Sequence, residues 1–379
     1  MTVAPNKRNN FKAVVLKGAY LLIVLVAVYF IDKNPIRFWD MLPYMGSVAS
    51  IDKNDSTYIH KMTYTEFNKY ATPKMKASML RSDSFCINMS ENAENFYQQL
   101  PFFKIKFLYI YTSWAFANLG LSLFNAVLLP SLLSFIFISL FIYFWLGKYY
   151  KPWVTFLLSV FFIFLNLQFD AFRIALPDAM AGCFLLPAAY FFINKRHIQS
   201  CVFLLLSLLT RPDNVFFIVL LCVFFSIFYY RENKRSAYTY LSFILLSFFA
   251  VFFIQAQSGE YDAYRMFYRS FVHLTETPYS SDIRFNMQDY LSGIGSGLKT
   301  SLHKSGLYLL FGLLVFYRFI KKTSFRSQEG MWITAMLSSF VLRIFTHPLF
   351  ETRYIFIFLI VLTLLILIEM KKNVVKWST

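Results

Sequence analysis

Charge is scarce in this sequence. Asp, Glu, Lys and Arg make up 15% of its 379 residues, against roughly 25% in a soluble globular protein. A chain this apolar could not hide its surface in one soluble core, which excludes intrinsic disorder and an ordinary cytosolic enzyme. Cysteine is rarer still: of four, Cys183, Cys201 and Cys222 lie in apolar runs and Cys86 stands alone. Without a Cys-x-x-Cys, a disulfide-stapled secreted fold and cysteine-based redox work are excluded. The five histidines are scattered, with no His-Glu-x-x-His and no pair spaced i, i+4, so no zinc site is expected and no cofactor is implied. Gly-x-Ser-x-Gly is missing too, against a serine hydrolase. Gly293-Ile-Gly-Ser-Gly-Leu-Lys-Thr300 comes near a phosphate loop, but Leu298 stands where the second glycine is needed. A flexible outer turn is expected there instead. The first apolar run has no small-residue cleavage site, so it is expected to remain as a membrane span.

What fills the chain is apolar and aromatic: 58% hydrophobic residues, with 47 Phe, 25 Tyr and 6 Trp, and a mean hydropathy of +0.51. Hydropathy marks ten spans: Val14–Ile31, Ser122–Leu146, Trp153–Gln168, Ala179–Ile193, Ile198–Leu209, Val215–Tyr230, Ala237–Gln255, Gly306–Phe319, Met331–Phe345 and Tyr354–Ile368. With the N-terminus inside, 18 of the 37 basic residues fall on the inner face, against three of the 20 acidic ones. The net charge of +17 is therefore a topology signal of the positive-inside kind, and no nucleic-acid partner is implied. Counting Phe102–Asn118 as another span would send the later basic loops outside. Its Lys104, Lys106, Tyr109, Tyr111 and Trp114 suit a helix lying in the outer interface, with the lysines snorkelling. The expectation is an all-α integral membrane protein of about ten transmembrane helices in a bacterial inner membrane, both termini cytoplasmic. Residues 1–379 form one membrane domain, onto which the outer loops 32–121 and 256–305 fold.

Four clusters at the outer ends of spans each combine a carboxylate, an arginine and a proline. They are Pro35-Ile-Arg-Phe-Trp-Asp40, Asp170-Ala-Phe-Arg-Ile-Ala-Leu-Pro-Asp178, Thr210-Arg-Pro-Asp-Asn214 and His347-Pro-Leu-Phe-Glu-Thr-Arg-Tyr354. Singly, each reads as an interfacial salt bridge or helix cap, as for Asp178 after Pro177. Four on one face point to chemistry there, since ionisable groups near a bilayer are costly to keep.

In order and type these motifs resemble the GT-C class of membrane glycosyltransferases, which includes protein mannosyltransferases and the aminoarabinose transferases of lipid A. The likeness lies in Asp40 just after the first span, the outer helix opened by Pro101-Phe-Phe-Lys-Ile-Lys-Phe-Leu-Tyr, and Pro177-Asp178 opening the fourth span. Arg211-Pro-Asp-Asn214 and Pro348…Arg353-Tyr354 complete it. The class often carries an acidic pair or a His in its first outer loop; Asp40 has no adjacent acid, and Asp32 and Asp52 are alternatives. The resemblance implies metal-independent inverting transfer from a polyprenyl-phosphate-linked sugar to a glycan or lipid acceptor. Asp40 is the expected general base. Arg353, Arg211 and Arg173 are expected on the donor phosphate, whose oxygens suit a guanidinium fork. Asp178, Asp213, Glu351, His347 and Tyr354 are expected to orient the substrates. An outer-face polysaccharide polymerase or ligase is a second reading, but its large outer loop usually falls late in the chain. A transporter is a third, and the nearly charge-free spans, Arg343 apart, argue against it.

Overall fold

A computed structural model of the chain describes residues 7–33, 38–167, 170–230, 234–259, 261–274, 277, 283–320, 327–349 and 351–377. Every regular element among them is helical. The long helices are α1 (Lys7–Lys33), α9 (Leu123–Leu146), α10 (Pro152–Leu167), α11 (Pro177–Ile193), α12 (His197–Thr210), α13 (Val215–Tyr229), α14 (Lys234–Gln257), α16 (Met287–Ile320), α17 (Gln328–Ile344) and α18 (Thr352–Trp377). Each of the ten expected spans falls on one of them. Among the described residues, four stretches are long and apolar enough to cross a membrane: Phe11–Lys33, Leu123–Leu146, Pro212–Tyr229 and Lys234–Gln257. Pro152–Asn166, Pro177–Ile193 and His197–Thr210 are shorter apolar helices.

Between α1 and α9 the chain folds into short helices: α2 (Met41–Asp52), α3 (Ser56–Tyr70), α4 (Pro73–Leu80), α5 (Ser84–Glu91), α6 (Ala93–Gln99), α7 (Pro101–Lys104) and α8 (Phe107–Asn118). Local chemistry starts several of them. Asp55, Thr72, Asp83 and Asn92 accept N-cap bonds from Tyr58, Met75, Cys86 and Glu94 with Asn95, each worth about 1 kcal/mol. These helices bury their own apolar core, including Leu42, Met45, Phe67, Phe96 and Phe103, against the first turns of α9 and the start of α11. Helix α8 has 12 residues, or about 18 Å, too short to cross a bilayer core. It is held down by a Tyr109 hydroxyl bond to the Val127 carbonyl (2.6 Å) and a Trp114 indole bond to Asp52 (2.8 Å).

The long helices share a second core around Trp145, Phe192, Phe225 and Trp332. Side chains of the turn after α9 tie it to neighbouring helices. There Lys148 donates to the Tyr190 hydroxyl and lies 4.7 Å from the Phe144 ring, while Tyr150 donates to the Leu367 carbonyl (2.5 Å). The short helices cap the opposite end.

One expectation fails. The stretch Gly293–Thr300 is not a flexible turn: after α15 (Ala263–Phe271), α16 begins at Met287, so Met287–Ser305 is helix continuous with the apolar stretch after it. The glycines of Gly293–Thr300 make no turn. Gly297 sits where the backbone of another segment comes close. A Cβ on Gly297 would stand 2.7 Å from the Pro348 carbonyl oxygen, and Ser301 one turn on donates to that carbonyl (3.1 Å). The hydropathy signal stops at Gly306 because Lys299-Thr-Ser-Leu-His-Lys-Ser305 before it is polar, not because the helix ends.

Candidate functional site

Residues of the four carboxylate–arginine clusters, far apart in sequence, meet in one cavity of about 1010 Å³. Asp40 sits at the N-cap position of α2, yet its side chain makes no capping bond, unlike those of Asp55 and Asp83. It is free to face the cavity, where 29% of its side-chain surface is open. Arg353, in the first turn of α18, approaches Asp40 at 3.9 Å and Glu351 at 2.5 Å. Its guanidinium lies 4.7 Å from the Phe38 ring. The alternatives to Asp40 do not line the cavity: Asp52 accepts from Trp114, and Asp32 lies near Lys33 at 3.9 Å.

Asp178, Arg211 and Asp213 form a buried ionic unit. Arg211 donates to Asp178 and through Nε and Nη2 to Asp213, at 3.0 and 2.7 Å. Arg343 at the end of α17 closes the unit with a 3.0 Å contact to Asp213. The local reasons lie in the chain: Pro177 starts α11 and Pro212 starts a single 3-10 turn, Pro212–Asn214, that separates α12 from α13. That break presents Arg211 and Asp213 to the cavity. The loop before α11 is pinned by Ser131, whose hydroxyl bonds the Ile174 carbonyl at 2.9 Å.

Of the expected site residues, Asp40, Asp178, Arg211, Asp213, His347, Glu351 and Arg353 line the cavity. Arg173 does not line it and is half-buried beside the loop. The Tyr354 side chain lies outside the described part, although its backbone opens α18. Three cations were missed as site residues. Arg343 was visible as the main charged exception in the expected spans, near the end of one of them. Lys106 was expected to snorkel but lines the cavity. Arg269 lay within what reads as a loop; the signal for it was Asp262, which caps α15 by accepting from Arg265 (2.9 Å), followed by Arg265 and Arg269 one helical turn apart.

Burial shapes the electrostatics. It lifts the Asp40 carboxyl above its ordinary value, against the opposing pull of Arg353, Arg269 and Lys106. It lowers Lys106 to about 8 and Arg269 to about 10. His347 is driven well below its ordinary value by burial and by Arg343, so it is neutral at pH 7, with Phe271 4.8 Å from its ring. Aromatic rings complete the wall: Trp39 meets Phe85 at 4.9 Å, and Tyr44 meets Phe103 at 5.2 Å. Among the described residues no three His, Cys, Asp or Glu side chains gather as a metal-ligand set.

The loop carrying His347, which leads to Glu351 and Arg353, rests on α16 through Pro348. Gly297→Ala is expected to push it away and cost about 1–3 kcal/mol. Gly295→Ala, whose Cβ meets nothing within 4 Å, is expected to gain about 1 kcal/mol of helix propensity. Opposite shifts in melting temperature would bear this out; equal shifts would not.

A carboxyl with a raised pKa can take a proton, and the neighbouring cations can hold negative charge. The chain matches no protein-family model, no curated protein and no solved structure.

Proposed function

We propose that the protein is a GT-C type membrane glycosyltransferase. In this reading all ten apolar helices cross a bacterial inner membrane, both termini are cytoplasmic, and the cavity opens on the extracytoplasmic side. The donor is a sugar on a polyprenyl phosphate, the acceptor a surface polysaccharide or lipid-linked glycan. The observation that carries the reading is Asp40, an uncapping carboxyl with a raised pKa, held beside Arg353 in a cavity of about 1010 Å³ at the end of an apolar helix bundle.

The chemistry follows from those groups. The acceptor hydroxyl attacks the anomeric carbon, the bond from that carbon to the phosphate oxygen breaks, and its electron pair stays on the phosphate. The acceptor proton passes to Asp40, whose raised pKa makes it a better base than a free aspartate. A single displacement inverts the sugar carbon and needs no metal. Arg353, stacked on Phe38, supports the phosphate. Asp178 and Asp213 hold Arg211 and Arg343 in position, while Glu351 and neutral His347 are available to sugar hydroxyls.

The test is a thermal-shift panel on purified protein in nanodiscs, with polyprenyl-phosphate sugars against bare polyprenyl phosphate. One sugar-bearing lipid should raise the melting temperature, and Arg353→Ala should reduce that shift. A response only to diphosphate-linked oligosaccharide would make the protein a polysaccharide polymerase or ligase. Silence toward every carrier would overturn the transferase reading in favour of transport.

A further inference from the structure

The arginines that line the cavity are not equally provided for. Arg211, Arg343 and Arg353 each lie within ion-pair distance of a carboxylate, on Asp178 and Asp213, on Asp213, and on Glu351. Arg269 differs. It lines the same cavity and is 8% exposed, yet among the described residues no carboxylate lies within ion-pair distance, and its Nε is buried without a hydrogen-bond acceptor. Its guanidinium lies 5.2 Å from the Phe85 ring and 5.6 Å from the Phe102 ring. Cation–π contacts of this kind offset the desolvation of a buried charge only in part. A second donor is stranded at the same ring. Trp39 packs edge-on against Phe85 at 4.9 Å, and its indole N–H is buried without an acceptor. Both side chains border the carboxyl that takes the proton: Trp39 precedes Asp40 in the chain, and Arg269 is near enough to pull on it. What this wall of the cavity lacks is an acceptor group with a negative charge.

We propose that Arg269, with Trp39, holds a carboxylate of the acceptor, so that the sugar is transferred to an acidic glycan whose accepting unit is a uronic acid. The inference rests on the glycosyl-transfer reading and names its acceptor class. The hydroxyl that Asp40 deprotonates belongs to the acceptor, so an anion held beside Asp40 arrives with the acceptor. The donor's phosphate is left to Arg353, which stands on a different ring, Phe38. A carboxylate fits Arg269 in charge and in shape. It sets one negative charge against one cation, and two coplanar oxygens against a guanidinium edge. Those oxygens offer about four lone-pair sites, enough to accept from the guanidinium and the indole together. A phosphate dianion would exceed the single cation, next to an Asp40 that already feels Glu351. The pyranose that carries the carboxylate has apolar C–H faces for the rings of Trp39 and Phe103, 6.2 Å apart on the same wall. The carboxylate makes and breaks no bond. It anchors the acceptor, so its loss is felt in KM before kcat.

The test uses the full chain in nanodiscs loaded with polyprenyl phosphate, so that the carrier's place is taken. Methyl glucuronoside, galacturonoside and mannuronoside are titrated by saturation-transfer NMR against the methyl glucoside, galactoside and mannoside, which carry a hydroxymethyl group in place of the carboxylate. Wild type should bind one uronoside about tenfold or more tighter than its neutral partner, the worth of a hydrogen bond to a charged group. That comparison needs no variant. Arg269→Gln should erase the preference, Arg269→Lys should keep part of it, and Trp39→Phe should reduce it about threefold. Polyprenyl phosphate should bind Arg269→Gln within about twofold of wild type, since its phosphate lies elsewhere. In transfer from the sugar-linked carrier that stabilises wild type, Arg269→Gln should raise KM for the acidic acceptor about tenfold and change kcat less than about threefold. Equal binding of uronosides and neutral glycosides by wild type overturns the inference. So does displacement of the uronoside by polyprenyl phosphate, or a carboxylate preference found only in the carrier-linked sugar. Each of these leaves the transferase reading intact. Wild type that binds no carrier, bare or sugar-linked, overturns that reading and the acceptor role with it.

Discussion

Asp40→Asn is expected to slow sugar transfer by about 10² to 10⁴, the contribution of a general base, while raising the melting temperature at neutral pH. Asn keeps the shape and cannot take a proton, so donor binding through Arg353 should persist. The stability effect follows from linkage. The folded protein holds Asp40 above its ordinary pKa because burial outweighs Arg353, Arg269 and Lys106. The native state therefore favours the protonated carboxyl. Stability is lost as pH rises from the ordinary carboxylate range through the folded value, and above it the ionised Asp40 is a standing cost. Asn removes that cost at pH 7 and should gain nothing at low pH, where both chains are neutral at residue 40. The same shift sets the rate profile. The acid limb of kcat/KM should lie above the ordinary aspartate range. Donor phosphate adds a negative charge among the same cations, so the limb of kcat should lie higher again. Wild-type turnover by the Asn variant would remove Asp40 from the mechanism.

Arg211→Met is expected to destabilise the protein by about 3–5 kcal/mol, the cost of removing one partner from a buried ion pair. The Arg211 side chain is 10% exposed and that of Asp178 is 4%. Without Arg211, Asp178 is left buried with its charge uncompensated, and Asp213 keeps Arg343 alone at 3.0 Å. This unit joins the start of α11, the turn before α13 and the end of α17, so the cavity wall loosens with it. Adding Asp178→Leu should recover much of the loss, because the orphaned carboxylate is then gone. Melting curves of the wild type, both single variants and the double variant measure the coupling. A negligible loss in Arg211→Met would mean that Arg211 is available for substrate instead, as the sequence motifs suggest.

The two arginines first singled out for the donor phosphate thus differ. Arg353 and Arg211 are alike in the sequence, each near a proline and a carboxylate at the end of an apolar run. Their difference comes from partners distant in the chain: Asp178, 33 positions before Arg211, and Arg343, on a helix more than a hundred residues later. The clusters were legible because charge beside an apolar span is costly enough to be conspicuous. Lys106 was misread for the same reason, since a lysine flanking an apolar helix usually snorkels to water. Arg269 was hidden by its setting, an aromatic-rich helix that packs on neighbouring rings such as Tyr290, Phe85 and Phe102.

By itself the sequence determined the material: apolar helices in the right places, and the carboxylates and arginines near their ends that come to line the cavity. Those follow from local properties, hydropathy and capping, which act over one or two turns. Only the tertiary structure decided which cations are spent on carboxylates and which stand free, that Asp40 points into the cavity instead of capping α2, and that α16 runs through its glycines to seat Pro348. Each of these depends on burial and on contacts between segments far apart in the chain. The worth of a charge is set by its surroundings, and those exist only once the chain has folded.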